Sequence, residues 1–169
     1  MNDTEQRVGV YLGSFDPVTL GHLNIIERSS RLFDLLIVGV GTNVDKRGLF
    51  SPPERVELVK KVTTHLDNVE VRVFDGLAVE FVRACNSRAL VRGVRPLTDI
   101  GAEFTMMMAN RQLDPDIETV FLMADEEYVH VSSSLVKQIT PLADDERLAS
   151  FFPRAIIPEL RKKISDTND

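Results

Sequence analysis

One cysteine in 169 residues leaves no partner for an intrachain disulfide, so the fold must close on burial, as in proteins of reducing compartments. Cys85 itself lies in an apolar helical pattern and reads as a small core residue rather than a nucleophile. No apolar run is long enough to cross a bilayer, and Met1 to Arg7 lacks the hydrophobic stretch of a secretion signal. The expectation is therefore a cytoplasmic protein with no membrane partner. Cation excess is also missing: 20 Lys and Arg stand against 26 Asp and Glu, a net charge of −6. That balance argues against a general nucleic-acid binder, although a few positioned groups can still build a local phosphate site. There is no Gly-x-Gly-x-x-Gly fingerprint, no Walker lysine loop and no Gly-x-Ser-x-Gly elbow. The three histidines, His22, His65 and His130, are scattered, with no Cys/His spacing that suits a metal.

What is present is a regular alternation. Apolar strand-like runs fall at 7–12, 34–40, 69–74, 89–91 and 119–123. Helical patterns follow them, from Gly21 or His22 to Leu32, after Ser51 to His65, from Leu77 to Cys85, after Thr98 or Asp99 to Leu113, from Ser132 to Ile139, and near Pro158 to Ile164. Ser51-Pro52-Pro53-Glu54 is a sharp helix start, with a capping serine, proline in the first turn and Glu54 closing a capping box. Met106-Met107-Met108 reads as core or pocket wall. The pattern predicts a single α/β domain over 1–169, with flexible ends at 1–6 and 165–169, and a five-stranded parallel sheet with helices on both faces. Ligands of such sheets bind beyond the carboxyl ends of the strands, where strand order reverses.

Several loops at that edge carry candidate chemistry. Gly13-Ser14-Phe15-Asp16-Pro17-Val18-Thr19-Leu20-Gly21-His22 leaves the first strand and enters a helix. There His22 is either a donor to a phosphate on the helix N-terminus or a surface residue of the first turn. Ser14 is a hydroxyl donor or only a turn residue, and Asp16-Pro17 is most simply a turn. Lys46 and Arg47 follow the second strand, as phosphate ligands or as a solvated charge pair. Arg92 and Arg95 flank Gly93 after the fourth strand, where two guanidinium groups could clamp an anion. Ser132-Ser133-Ser134 offers an N-cap with spare hydroxyls, or a second helix start facing phosphate.

Taken in register, these motifs are specific. Gly-Ser-Phe-Asp-Pro-x-Thr-x-Gly-His, the lysine after strand two, Arg-Gly-x-Arg after strand four and the triple-serine helix start resemble the bacterial phosphopantetheine adenylyltransferases. These belong to the nucleotidyltransferases with a Thr/His-x-Gly-His motif, and the resemblance runs from Val8 to the final helix. It implies a Rossmann-like nucleotidyltransferase fold and transfer of AMP from ATP to 4′-phosphopantetheine, giving dephospho-coenzyme A and pyrophosphate. It implies His22 as the transition-state stabiliser, and Ser14, Lys46, Ala78 and Arg92 on the phosphopantetheine. It implies Ser14, Phe15, His22, Gly93, Val94, Arg95, Glu103, Tyr128, Val129, His130, Val131, Ser132, Ser133 and Ser134 on ATP. Leu77, Met106 and Asn110 match positions near the pantetheine arm. Mg²⁺ is expected on the ATP phosphates rather than on a protein ligand set, with the acidic Asp125-Glu126-Glu127 either outside the phosphate region or touching the ion through water. The resemblance also implies a homohexamer, as a dimer of trimers, and coenzyme A as feedback inhibitor. The alternatives are a relative acting on nicotinamide mononucleotide or glycerol 3-phosphate, or a nucleotide-binding module without catalysis.

Overall fold

A computed structural model describes residues 6–42, 48–94 and 100–168. Its frame is one sheet of five parallel strands: β1 (Val8–Gly13), β2 (Leu35–Gly41), β3 (Val69–Phe74), β4 (Ala89–Val94) and β5 (Glu118–Met123). The order is β3-β2-β1-β4-β5, so the direction of winding reverses between β1 and β4. The helices are α1 (Leu20–Ser30), α2 (Pro52–Val62), α3 (Ala78–Ala84), α4 (Ile100–Leu113), α5 (Ser133–Ile139), α6 (Asp145–Leu148) and α7 (Ile157–Asn168). Short 3-10 turns stand at Glu126–Tyr128 and Arg154–Ile156.

The pleat of β1 divides the core. Tyr11 turns to one face, with Ile25 and Ile26 of α1, Val59 of α2 and Leu160 of α7. Val10 and Leu12 turn to the other, with Val79 and Val82 of α3 and Ile117. Both faces are covered, which is why the central strands read as unbroken apolar runs rather than alternating ones. Cys85 is buried in the second cluster, and burial raises its thiol pKa. Ser51 and Glu54 form the expected capping box at the head of α2. Helix α7 starts with Pro158 in its first turn, where the missing N–H costs nothing, and continues through Asn168, past the position where the sequence expects fraying.

Two expectations need correction. The sequence pattern ends the fourth strand at Val91, but the strand runs on to Val94, so Arg92 and Gly93 lie within it. The reason is β5: Arg92, Gly93 and Val94 keep pairing with Phe121, Leu122 and Met123. Pairing with β1 ends earlier, at Tyr11 opposite Val91. Met106 and Met108 of α4 are not core either. Met106 and Met108 are each about half exposed, at 55% and 51%, because α4 turns a different stripe, Glu103, Met107 and Asn110, toward the protein.

Candidate active site

The parting of β1 and β4 opens a cleft of about 290 Å³ at the carboxyl edge of the sheet, where strand order reverses. Tyr11, Leu12 and Ser14 line it from β1 and its loop, His22 and Ile25 from α1, Arg92, Gly93 and Val94 from β4, Glu103 from α4, and Tyr128, Val131, Ser132 and Ser133 from the segment after β5.

His22 is placed by a local device. Thr19 is the N-cap of α1, and its hydroxyl accepts from the His22 N–H at 3.3 Å. The His22 ring returns the bond, with Nδ1 accepting from the Thr19 N–H at 3.1 Å. This is a capping box with histidine where Glu or Gln is usual. Because Nδ1 accepts, it carries no proton, and the ring proton sits on Nε2. The motif Thr-x-Gly-His thus sets a tautomer as well as a position. In the same turn the Leu20 N–H donates to the Phe151 carbonyl and the Leu23 N–H to the Thr19 carbonyl. The Gly21 amide has no partner among the described residues and lines the cleft.

Phe15 holds the loop beneath. It is fully buried with φ of 46°, a left-handed conformation that bulky residues rarely adopt. Its ring meets Tyr11 edge-on at 5.3 Å and His22 at 5.0 Å. A Cβ on Gly13 would come within 2.9 Å of that ring, so glycine is required by close approach. Phe15 therefore could meet a ligand only through its backbone, and it does not line the cleft.

Arg92 enters from the α4 side. Its Nε and Nη2 donate to the two carboxylate oxygens of Glu103, at 2.7 and 2.6 Å. Its Nη1 donates to the Leu12 carbonyl at 2.7 Å, in the gap where β4 has left β1. The resemblance assigns Arg92 to one substrate and Glu103 to the other; the fold brings them into one bidentate pair. Gly93, on the α1 side, packs so closely on Ile25 that a Cβ would lie 2.9 Å from it.

Not every expected residue gathers here. Lys46 and Arg95 lie outside the described residues. Ala78 begins α3 and packs against the core on the sheet's other face, away from His22. Leu77 and Met106 are exposed, and Asn110 is buried. Val129 and His130 do not line the cleft; the His130 ring stacks edge-on against Phe151 at 5.7 Å. Ser132 caps α5, accepting from the Leu135 N–H, and Ser133 donates to the Pro17 carbonyl. The second bond ties the serine run to the opening loop. Ser134 is helical, and its side chain lies outside the described ones. Asp125 is held by Arg28 at 2.9 Å and by Asn24 at 2.6 Å, so its charge is matched by α1. Among the described residues no three His, Cys, Asp or Glu side chains are grouped to hold a metal ion.

Three residues of structural weight were missed by reading the sequence. Tyr11, within the first apolar run, lines the cleft; burial pushes its phenol well above the ordinary value, with Arg92 pulling it back and Glu103 pushing further. Asp16, a turn residue by its sequence, is buried and accepts from the Leu49 and Phe50 N–H groups, each at 2.8 Å. Arg55 of α2 stands 3.4 Å from Asp16 and donates to the Phe50 carbonyl. The only signal for that pair in the sequence is an arginine on the apolar side of α2, between Ser51 and Leu58.

A family model described as cytidylyltransferase-like matches residues 10–139. The phosphopantetheine adenylyltransferase of Rhodopirellula baltica is 65% identical over 159 residues, which cover 94% of this chain and 89% of that one. That of Clostridium botulinum is 48% identical over 157 residues, 93% of this chain and 98% of its own. Among solved structures, the nicotinic acid mononucleotide adenylyltransferase of Plasmodium falciparum, complexed with NaAD, superposes with a TM-score of 0.68 at 13% identity, covering 96% of each chain. The lipopolysaccharide core biosynthesis protein from Thermoplasma volcanium gives 0.51 at 20% identity, over 71% of this chain and 97% of that one. At such identities these two likenesses are of fold alone. By the family match and the sequence identities, the chain belongs to the phosphopantetheine adenylyltransferases, within the cytidylyltransferase-like nucleotidyltransferases.

Proposed function

We infer that the protein transfers AMP from ATP to 4′-phosphopantetheine, forming dephospho-coenzyme A and pyrophosphate in coenzyme A biosynthesis. The observation that carries this reading is the cleft between β1 and β4, with a histidine donor on the α1 side and a guanidinium on the α4 side. Two anionic groups must meet there. A phosphate oxygen of the acceptor attacks the α-phosphorus of ATP; the bond from that phosphorus to the bridging oxygen breaks, and pyrophosphate leaves with the electron pair. No covalent enzyme intermediate is required, so the residues position two phosphates and stabilise charge on the crowded phosphorus.

His22 Nε2–H is proposed to donate to the α-phosphoryl oxygens as charge builds on them. Ser14 and the Phe15 backbone sit near the junction. Arg92, with Lys46, holds the acceptor phosphate, and Ala78 lies toward the pantetheine arm. Gly93, Val94, Arg95, Glu103 and the 128–134 segment serve the nucleotide. Mg²⁺ is proposed to arrive on the ATP phosphates, where it supplies charge neutralisation. In support, Asp125 and Glu103 are already paired with arginines. A homohexamer built as a dimer of trimers, inhibition by coenzyme A and a cytoplasmic location complete the proposal. The exposed apolar stripe of α4 supports the assembly, and no described helix is long and apolar enough to cross a membrane.

The test is pyrophosphate release from Mg-ATP with 4′-phosphopantetheine, nicotinamide mononucleotide, glycerol 3-phosphate or no acceptor. Release only with phosphopantetheine is expected. Turnover on another acceptor would move the protein to a sister activity. Tight ATP binding with no release on any acceptor would make it a binding module.

A further inference from the structure

We propose that Glu103 is a positioning residue for Arg92, acting on the acceptor phosphate through that guanidinium rather than serving the nucleotide alone. The inference rests on the reading of Arg92 as the residue that holds the acceptor phosphate.

The parting of the strands exposes Arg92 to the cleft. Beyond Tyr11 and Val91, β1 and β4 no longer pair, and Arg92 projects into the opening from the strand that has turned away. An arginine at such an edge has many rotamers to lose on binding an anion. Here the loss is met before the ligand arrives. Glu103, on the inward stripe of α4, takes both Nε and Nη2 in a fork-to-fork pair, which fixes the plane of the guanidinium. The Leu12 carbonyl takes Nη1, which fixes its depth in the cleft. Both side chains are largely buried, with 29% and 18% of their surfaces exposed, so the pair is shielded from the screening that weakens surface ion pairs. An acceptor phosphate thus meets a guanidinium whose orientation is set by two elements, β1 and α4.

Charge and position make opposite forecasts. Glu103 is an anion beside an anion-binding arginine. If its charge were all that mattered, removing it would tighten acceptor binding. If it orients Arg92, removing it loosens acceptor binding, because the guanidinium must then be ordered at the ligand's expense, up to about tenfold in affinity from about 0.5–1.5 kcal/mol for a rotamer-rich side chain.

The experiment is steady-state kinetics with Glu103→Gln, Glu103→Asp, Arg92→Ala and the double variant Arg92→Ala/Glu103→Gln. Glu103→Gln is expected to raise KM for phosphopantetheine up to about tenfold, with a smaller change in KM for ATP. Glu103→Asp keeps the charge but shortens the reach, and should fall between wild type and Glu103→Gln; it also carries the test if the Gln variant does not fold. In the Arg92→Ala background, Glu103→Gln should add little to the acceptor KM, since a residue acting through another is silent once that other is gone. The proposal is overturned if Glu103→Gln leaves the acceptor KM unchanged or lowers it, or if the two substitutions add in full. Failure of the wild-type protein to use phosphopantetheine would refute the functional reading instead, so the two failures are distinguishable.

Discussion

A histidine at the third position of a helix looks like an odd choice until its two nitrogens are considered separately. Nδ1 does structural work on the Thr19 N–H, a task that glutamate performs in most capping boxes. That bond leaves the ring proton on Nε2, so one residue both closes the helix and presents a donor at its positive end. The two duties can be separated by substitution. His22→Glu restores the common capping pair but sets an anion where the donor was. It should melt within a few degrees of wild type by calorimetry, yet lose turnover and bind ATP more weakly. His22→Ala should lower kcat by about 10²–10³, the usual cost of removing one donor aimed at developing charge, with a smaller effect on KM for ATP. A His22→Glu variant that turns over like wild type would show that Nε2 plays no part in the chemistry. The ring itself offers a direct check: nitrogen NMR of the free protein should show Nδ1 unprotonated.

Helix starts and loop ends decide how these residues are held, and they differ in how far they can be read from sequence. The Ser51–Glu54 box was legible because it is local: serine, two prolines and glutamate need only each other and the backbone. The anchoring of the loop before α2 was not, because Asp16 and Arg55 meet only once β1 and α2 share a face. Their pair is buried, with 9% of each side chain exposed, and a Cβ on Gly48 would fall 1.9 Å from Arg55 Nη2. Asp16→Asn sets an amide against one of the two N–H groups the carboxylate accepts. It should destabilise the fold by about 3–5 kcal/mol, the cost of breaking a buried pair, and raise KM for the acceptor, whose phosphate is proposed to meet Lys46, three residues before Leu49 in the sequence. Chemical denaturation and kinetics would read the two effects; a loss under 1 kcal/mol would mean that Arg55 alone holds the loop. At the head of α2, Lys163 and then the Ser51 N–H pull the Glu54 carboxyl from its ordinary 4.5 down to about 2. A lowered carboxylate pKa stabilises the fold above the ordinary value, and the contribution disappears as pH falls through the lowered one. Glu54→Gln keeps the capping geometry and removes the charge. It should therefore melt about 1–3 °C lower at pH 7, a surface-pair effect, with the difference closing between pH 4.5 and 2.

At the scale of the molecule, the alternation of elements was enough to specify five parallel strands and the edge where the cleft opens, because a doubly covered sheet leaves few choices. Helix α4 is where that logic fails. Its apolar residues Ile100, Phe104 and Met108 recur at every fourth position, which on a helix makes one stripe, and a stripe of that kind is ordinarily read as facing the core. In the protein it faces outward: the three are exposed by 54%, 55% and 51%, while Glu103 and Asn110 turn inward with Met107. Single exposed apolar residues need no explanation, but a continuous stripe is the mark of an interaction surface. On the inner face Glu103 is paired with Arg92, so the helix has two loyalties, one to the cleft and one to whatever covers the stripe. A further copy of this chain is the occupant consistent with the proposed hexamer. Phe104→Glu places a charge at the middle of the stripe without touching Glu103 or the core. It should leave the melting of the protomer intact while lowering the mass measured by analytical ultracentrifugation. Because Glu103 is the preceding residue on the same helix, acceptor KM should rise as the assembly comes apart. If the mass is unchanged in Phe104→Glu, α4 is not the contact between copies, and its stripe must be covered by something else.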